Sequence, residues 1–244
     1  PDGNGVETAK LIKERYPIVE IILLTAYGNI PDGVRAIKNG AFEYITKGDD
    51  NNRIIPLLYK ASEKVALARR VQQLEKRLGD KLSFDKIIGK SSAIKAAIGM
   101  AQKVAVTNTT VLLTGETGTG KEVFAQAIHQ ASSRRVRSFV AINCAAFTKD
   151  LLENELFGHK SGAFTGATKD QRGLFEEAHL GTIFLDEVGE MALELQAKIL
   201  RVLETGEFLK VGDSKPTKVD VRIIAATNRN LETEIASDHF RSDL

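Results

Sequence analysis

The stretch GETGTGKE, residues 115–122, restricts the fold of this 244-residue chain more than any other. It follows the apolar run VLLT and opens onto the amphipathic KEVFAQAIHQAS. A glycine-rich turn between strand and helix aims successive backbone N–H groups at one point, and the helix N-terminus adds partial positive charge there. Lys121 then reaches phosphate oxygens as a point charge. The spacing is G-x-x-x-x-G-K, but Glu122 stands where the general motif has Ser or Thr, so the usual hydroxyl ligand to Mg²⁺ is missing. A chance glycine turn is the plain alternative; strand, helix and lysine all in place weigh against it.

GTIFLDE, residues 181–187, supplies the second half. An apolar strand ending in two carboxylates puts Asp186 beside a metal ion and Glu187 where it can orient or deprotonate a water. Acidic pairs at strand ends are common, and this one gains weight from the phosphate loop. Together they are expected to bind and hydrolyse ATP with Mg²⁺ at Asp186. The nucleotide would be held by Gly115, Glu116, Thr117, Gly118, Thr119, Gly120, Lys121 and Glu122.

The pattern around these motifs is α/β. TTVLLTG, SFVAIN, GTIFLDE and VDVRIIAATN read as strands, with SAIKAAIGMAQKV, KEVFAQAIHQAS and LELQAKILRVLET as helices. This predicts a doubly wound parallel sheet over residues 84–244 with ligand loops at the strand C-termini. Upstream, residues 1–60 alternate an amphipathic GVETAKLIKERYP, a strand-like VEIILLTA, a short helix IPDGVRAIKNG ended by Gly40, and a strand FEYIT. Two strands are too few for a sheet that stands alone. A linker helix is expected at 61–83. There Leu67, Val71, Leu74 and Leu78 recur at helical steps, as one packed stripe on a solvated helix or as a short coiled-coil dimerisation segment.

Composition removes several alternatives. The 34 Lys and Arg against 32 Asp and Glu leave a formal charge of +2, which gives no electrostatic footprint for nucleic acid. The lone cysteine, Cys144, excludes an internal disulfide, suits a reducing cytosol, and reads as a buried small residue. The four histidines have no metal-ligand spacing. No apolar run approaches the ~20 residues needed to span a bilayer, and the opening PDGNG is unlike a signal peptide, so no membrane partner is expected. The start at Pro1 and the stop at RSDL are those expected of a fragment.

GAFTGA, residues 162–167, frames Phe164 and Thr165 with small residues. By itself it suits an ordinary surface turn with the ring tucked inward. The succession GETGTGKE, NELFGHKSGAFTGA, GTIFLDE, QAKILRVLETGEF, VDVRIIAATNRNL and FRSDL, however, resembles the AAA+ domain of bacterial enhancer-binding proteins of the NtrC type, which activate sigma-54 RNA polymerase. GAFTGA is the most specific of these words, and Glu after the P-loop lysine is also this family's habit. The resemblance implies a P-loop AAA+ fold over 84–244 and a loop whose Phe164 and Thr165 touch the sigma factor. It implies that Asn143 holds the catalytic Glu187 until the nucleotide state changes, that Asn228 senses the γ-phosphate, and that Arg241 is a finger serving a neighbour's nucleotide. The plain readings are a backbone-satisfied strand Asn, a turn-forming Asn and a surface Arg. A finger given in trans implies self-association, in this family as hexameric rings. The second arginine and helical lid of the family would follow residue 244.

Residues 1–60 resemble the C-terminal part of a flavodoxin-like response-regulator receiver. PDG before a helix, Thr25 at one strand end and Lys47 at the next carry that resemblance. Thr25 and Lys47 would bind a phosphoryl group on an aspartate lying before Pro1, supplied by a sensor kinase acting on the full receiver. Gly48 replaces the usual proline. The plain reading is a βα unit whose Thr and Lys have no such role. DNA contact is expected only through a C-terminal domain outside the chain, and the implied location is cytoplasmic. Two competing functions are a different AAA+ remodeller gripping another substrate with the 162–167 loop, and a phosphorylation-gated interaction module with an inactive ATPase.

Overall fold

The computed structural model describes residues 4–48 and 51–244, with side chains 51–52 and 74–81 outside that description. The chain divides between Leu78 and Gly79 into two units. In the first, α1 (Gly5–Arg15), β1 (Ile22–Thr25), α2 (Ile30–Lys38) and β2 (Glu43–Thr46) alternate before a long helix α3 (Asn51–Lys81). Both short helices begin at an asparagine whose side-chain oxygen accepts a free backbone N–H, Asn4 from Val6 and Asn29 from Asp32. β1 and β2 pair in parallel, with Thr25 opposite Thr46. Val6, Ala36 and Ala41 form a small core with Leu23 and Tyr44 against it. Glu20 enters this unit as a buried carboxylate bridged by Lys13 at 3.0 Å and Lys64 at 3.1 Å. Burial raises its pKa, but the hydrogen bonds and charges of the two lysines outweigh burial and hold it below the usual carboxylate range.

The helix α3 runs without interruption past residue 60, so the expected start of a linker at 61 falls inside it. Leu67 and Val71 on the expected stripe are exposed. Leu74 and Leu78 lie outside the described side chains, and the PDG of residues 1–3 lies outside the described residues.

The second unit runs α4 (Ser92–Ala105), β3 (Val111–Thr114), α5 (Lys121–Gln130), β4 (Phe139–Asn143), α6 (Lys149–Phe157), β5 (Gly158–His159), β6 (Gln171–Arg172), α7 (Leu174–Glu177), β7 (Thr182–Asp186), α8 (Leu193–Thr205), β8 (Glu207–Leu209), β9 (Pro216–Lys218), β10 (Arg222–Thr227) and α9 (Leu231–Ala236). Four strands form one parallel sheet in the order β3-β10-β7-β4. The strand period of two divides their apolar residues between the faces. Phe184, Ile224 and Ala226 join Ala101, Ala105, Ala125 and Ile128 of α4 and α5 on one side. Ile183, Leu185 and Ile223 join Leu152, Leu156, Leu195, Ile199 and Val202 of α6 and α8 on the other. Helices therefore cover both faces, and the sheet is doubly wound as expected. The first residue of β10, Arg222, is 2% exposed and donates to the carbonyls of Val104 and Ala105, capping the C-terminal end of α4.

Two antiparallel hairpins interrupt the α/β succession. β5 pairs with β6 around the 160–170 loop, and β8 pairs with β9. Lys160 N–H donates to Val211 O at 3.0 Å and Val211 N–H to Gly158 O at 2.9 Å, tying one hairpin to the other.

Candidate functional site

The four parallel strands all end at one edge, and three of the loops leaving that edge meet through side chains. After β3, Gly118 (φ 83°) and Gly120 (φ 86°) take left-handed backbone, which L-residues with a Cβ resist. Gly120 is thereby the N-cap from which α5 starts at Lys121. The Lys121 ammonium lies back over its own loop, donating to Gly115 O at 3.0 Å and Glu116 O at 3.3 Å. Thr119 Oγ1 closes the turn onto Glu116 O at 2.7 Å. Glu122 is exposed and accepts from Gln126 Nε2 at 3.1 Å, one helical turn on.

β7 delivers Asp186 and Glu187. Glu187 stands at φ 52°, ψ 50°, a left-handed conformation, and its N–H donates to Asp186 Oδ1 at 3.1 Å. Its carboxylate lies 3.7 Å from Lys121 Nζ, both side chains being mostly buried, and accepts the Asn228 N–H at 3.0 Å. Asn228 Nδ2 donates to Thr117 Oγ1 at 3.0 Å. Lys121, Glu187, Asn228 and Thr117 are thus joined in one polar chain across the loops after β3, β7 and β10. Asn143 is the register partner of Asp186 at the end of β4. Its carboxamide oxygen accepts from Ala145 N at 2.9 Å and caps the turn at 144–146. In this structure the Asn143 carboxamide oxygen is bonded to the Ala145 N–H, and the Glu187 carboxylate to Lys121 and the Asn228 N–H. An asparagine oxygen finds the N–H two residues on at little conformational cost, and Glu187 is held from the opposite side by Lys121 and Asn228. Behind them Cys144 is buried, and burial together with the Asp186 and Glu187 charges pushes its thiol up to about 12.

Among the described residues no group of three or more His, Cys, Asp or Glu gathers as a metal cage. A lone strand-end aspartate suits a magnesium ion that takes its other ligands from phosphate oxygens and water.

Arg241 sits in the turn after α9. Its guanidinium pairs with Asp243, at 2.8 Å and 2.6 Å, and with no group of the Lys121–Glu187 chain. Its backbone N–H donates to Gln196 Oε1 at 2.8 Å. The 162–167 loop is closed by Gly162 N–H to Ala167 O and Ala167 N–H to Phe164 O. At its end Thr165 is exposed and Phe164 is 47% exposed, its ring edge-on to His159 at 4.9 Å. The inward-tucked turn that the hexapeptide alone suggested is not what forms. In the first unit Thr25 and Lys47 sit at adjacent strand ends, with Lys47 N–H donating to Thr25 O at 2.6 Å.

Three residues that carry the geometry escaped sequence reasoning. Arg229 grips Glu190 with two nitrogens and Glu234 with a third. Glu190 closes the turn that follows Glu187. Gln196, wholly buried in α8, donates to Met191 O and His239 O. The signal for Gln196 was a carboxamide among the core-facing Leu195, Ile199 and Val202.

The sigma-54 interaction domain family matches residues 87–244, and the response regulator receiver domain family matches residues 1–59. The DNA-binding transcriptional regulator NtrC of Proteus hauseri is 41% identical over 244 residues, covering 100% of this chain and 51% of that protein. Regulatory protein AtoC of Escherichia coli (strain K12) is 40% identical over 244 residues, 100% of this chain and 53% of its own length. The chain spans about half the length of the curated relatives it matches. Among solved structures, NtrX from Brucella abortus in complex with ATP is similar at TM-score 0.66 and 38% identity, over 99% of this chain and 51% of that one. The NtrX complex with ADP gives 0.64 and 40%, over 98% and 52%. No helix among the described residues is long and apolar enough to cross a membrane.

Proposed function

The chain belongs to the family of sigma-54-dependent response regulators, with a sigma-54 interaction domain of the AAA+ P-loop fold following receiver sequence, and from this we propose that it hydrolyses ATP to remodel sigma-54 RNA polymerase. The observation that carries the proposal is the Lys121–Glu187–Asn228–Thr117 chain, which links the phosphate loop to a carboxylate and to a polar strand end.

The chemistry follows from competition for Lys121. An ammonium bonded to Gly115 O and Glu116 O, with Glu187 beside it, exchanges those partners for phosphate oxygens of higher charge density. Glu187 then loses a counter-charge and is free to accept a proton from, or orient, the attacking water. Asn228, bonded to both Glu187 and Thr117, registers whether a γ-phosphate is present. Asn143, at the paired end of β4, is a second carboxamide within the same strand edge. A magnesium ion held by Asp186 would neutralise developing phosphate charge. Arg241 serves the site of a neighbouring copy, which is why its own chain leaves it on Asp243. Such fingers raise rates by about a thousandfold or more.

Residues 1–60 act as receiver sequence, 61–83 as the linker helix and 84–244 as the ATPase domain. Thr25 and Lys47 answer a phosphoryl group delivered by a sensor kinase. Exposed Leu67 and Val71 offer α3 a dimer contact, and the ATPase domains assemble as a hexameric ring in the cytoplasm. Phe164 and Thr165 then press on sigma-54, the ring supplying an anchor and the flanking glycines the freedom to extend.

Two variants separate the steps. Glu187→Gln is expected to keep ATP binding and lose turnover, measured as phosphate release. Thr165→Ala is expected to keep turnover and lose open-complex formation on a sigma-54 promoter. Normal open complexes from Thr165→Ala would refute the role of the loop.

A further inference from the structure

Gln196 uses every hydrogen-bonding group it has inside the core, and on backbone alone. Its Nε2 donates to Met191 O at 2.7 Å and His239 O at 3.0 Å, and its Oε1 accepts Arg241 N–H at 2.8 Å. The residue is 0% exposed. A carboxamide buried in an apolar helix face is costly unless fully bonded, and an aliphatic side chain would pack there as well. What distinguishes the three bonds is where they go. Met191 ends the turn begun by Glu187, through Glu190 N–H to Glu187 O at 3.0 Å and Met191 N–H to Val188 O at 3.1 Å. His239 and Arg241 flank Phe240, which is 8% exposed and anchors the turn that presents the arginine. A second brace runs parallel. Arg229 joins Glu190 to Glu234, whose carbonyl accepts the N–H groups of His239 and Phe240.

We propose that Gln196 is the positioning residue that fixes the backbone of Arg241 to the loop of Glu187, setting the reach of the arginine into the neighbouring site by the state of its own. The inference rests on the trans role given to Arg241 above. Gln196 touches no substrate and acts only through Arg241 and Met191. Because two of its bonds lead to the arginine turn and one to the carboxylate loop, a shift at Glu187 on nucleotide binding is carried to Arg241 through a single rigid side chain.

The test uses the complete protein and ATPase rates. Gln196→Met preserves volume and removes all three bonds; a 1 Å misplacement of a reacting group costs about a hundredfold, and a loss of that order in turnover is expected. A defect confined to the arginine is separable from a damaged site by mixing subunits. Glu187→Gln subunits lack their own chemistry but keep a sound arginine, so they should restore turnover in Gln196→Met subunits, as they should for Arg241→Ala. Restoration of Arg241→Ala but not of Gln196→Met would overturn the positioning role. Full activity of Arg241→Ala would instead overturn the trans reading itself. Should Gln196→Met not fold, amide exchange in the unaltered protein decides. The Arg241 N–H, bonded to Gln196 Oε1, should exchange at least about tenfold more slowly than the exposed Ser242 N–H beside it. Equal exchange at the two positions would overturn the inference.

Discussion

Glu187 is held where its backbone is least comfortable. Left-handed φ costs a residue with a Cβ about 1 kcal/mol, and here the carboxylate is retained by Lys121 and the Asn228 N–H. Strain of this kind persists only where surrounding bonds over-determine the conformation. The Asp186 and Glu187 carboxylates also act on the buried Cys144. With its thiol at about 12, the thiolate fraction at pH 8 is on the order of one part in ten thousand, and only the thiolate alkylates. Iodoacetamide labelling followed by mass spectrometry should therefore leave Cys144 unmodified in the native protein and modify it fully in denaturant. Rapid native labelling would show that the 144–146 turn opens. That burial was legible from FVAINCAAF, because an apolar flank places a small residue in a core. The bonding of Asn143 was not legible, since a carboxamide at a strand end has a local backbone partner as well as a distant one. Gln196 was hidden for a related reason, because its three partners lie on segments that only the folded sheet edge brings together.

The four parallel strands and the helices α4, α5 and α8 could be read from apolar runs bounded by turn residues, whereas α6, with Leu152 and Leu156 on the sheet, was not read. The paired hairpins could not be read either. β5 and β6 are two residues each, and β8 and β9 three, too short for any alternation to register. Their pairing depends instead on close backbone approach. A Cβ on Gly173 would lie 2.4 Å from the Phe157 carbonyl carbon and 2.5 Å from the Gly158 nitrogen. Neither atom is a flexible side-chain end, so Gly173→Ala must push α6 and the base of the 162–167 loop apart. The expected loss is about 2–4 kcal/mol, which in a domain of this size lowers Tm by roughly 5–10 °C. Thermal unfolding measures it, and an unchanged Tm would mean that the loop base has slack. Gly158→Ala meets Gln171 O at 2.4 Å and should fall in the same range. The consequence reaches the loop tip, because the stem fixes the direction in which Phe164 and Thr165 point.

One copy of the second unit gathers Lys121, Asp186, Glu187 and Asn228 at a single edge and directs the Arg241 guanidinium to Asp243 instead. The pairing with Asp243 is exposed, so it is weakly held and readily exchanged for a phosphate oxygen of higher charge. If Arg241 completes the site of a neighbour, turnover belongs to the assembly and not to the chain, and it must follow mass action. ATPase activity per subunit should then rise with protein concentration and reach a plateau as association completes, the midpoint matching that of assembly by sedimentation. Arg241→Ala should assemble over the same concentration range, since Asp243 and not an interface holds the guanidinium in the free chain, yet stay at least about a hundredfold less active at the plateau. Leu67→Asp would report on α3 separately. Leu67 is 66% exposed, so the substitution should leave folding intact while weakening any dimer made through that helix. Activity per subunit that is flat from the monomeric to the assembled range would mean that each chain carries a complete site, and Arg241 would then be a surface residue paired with Asp243 and nothing more.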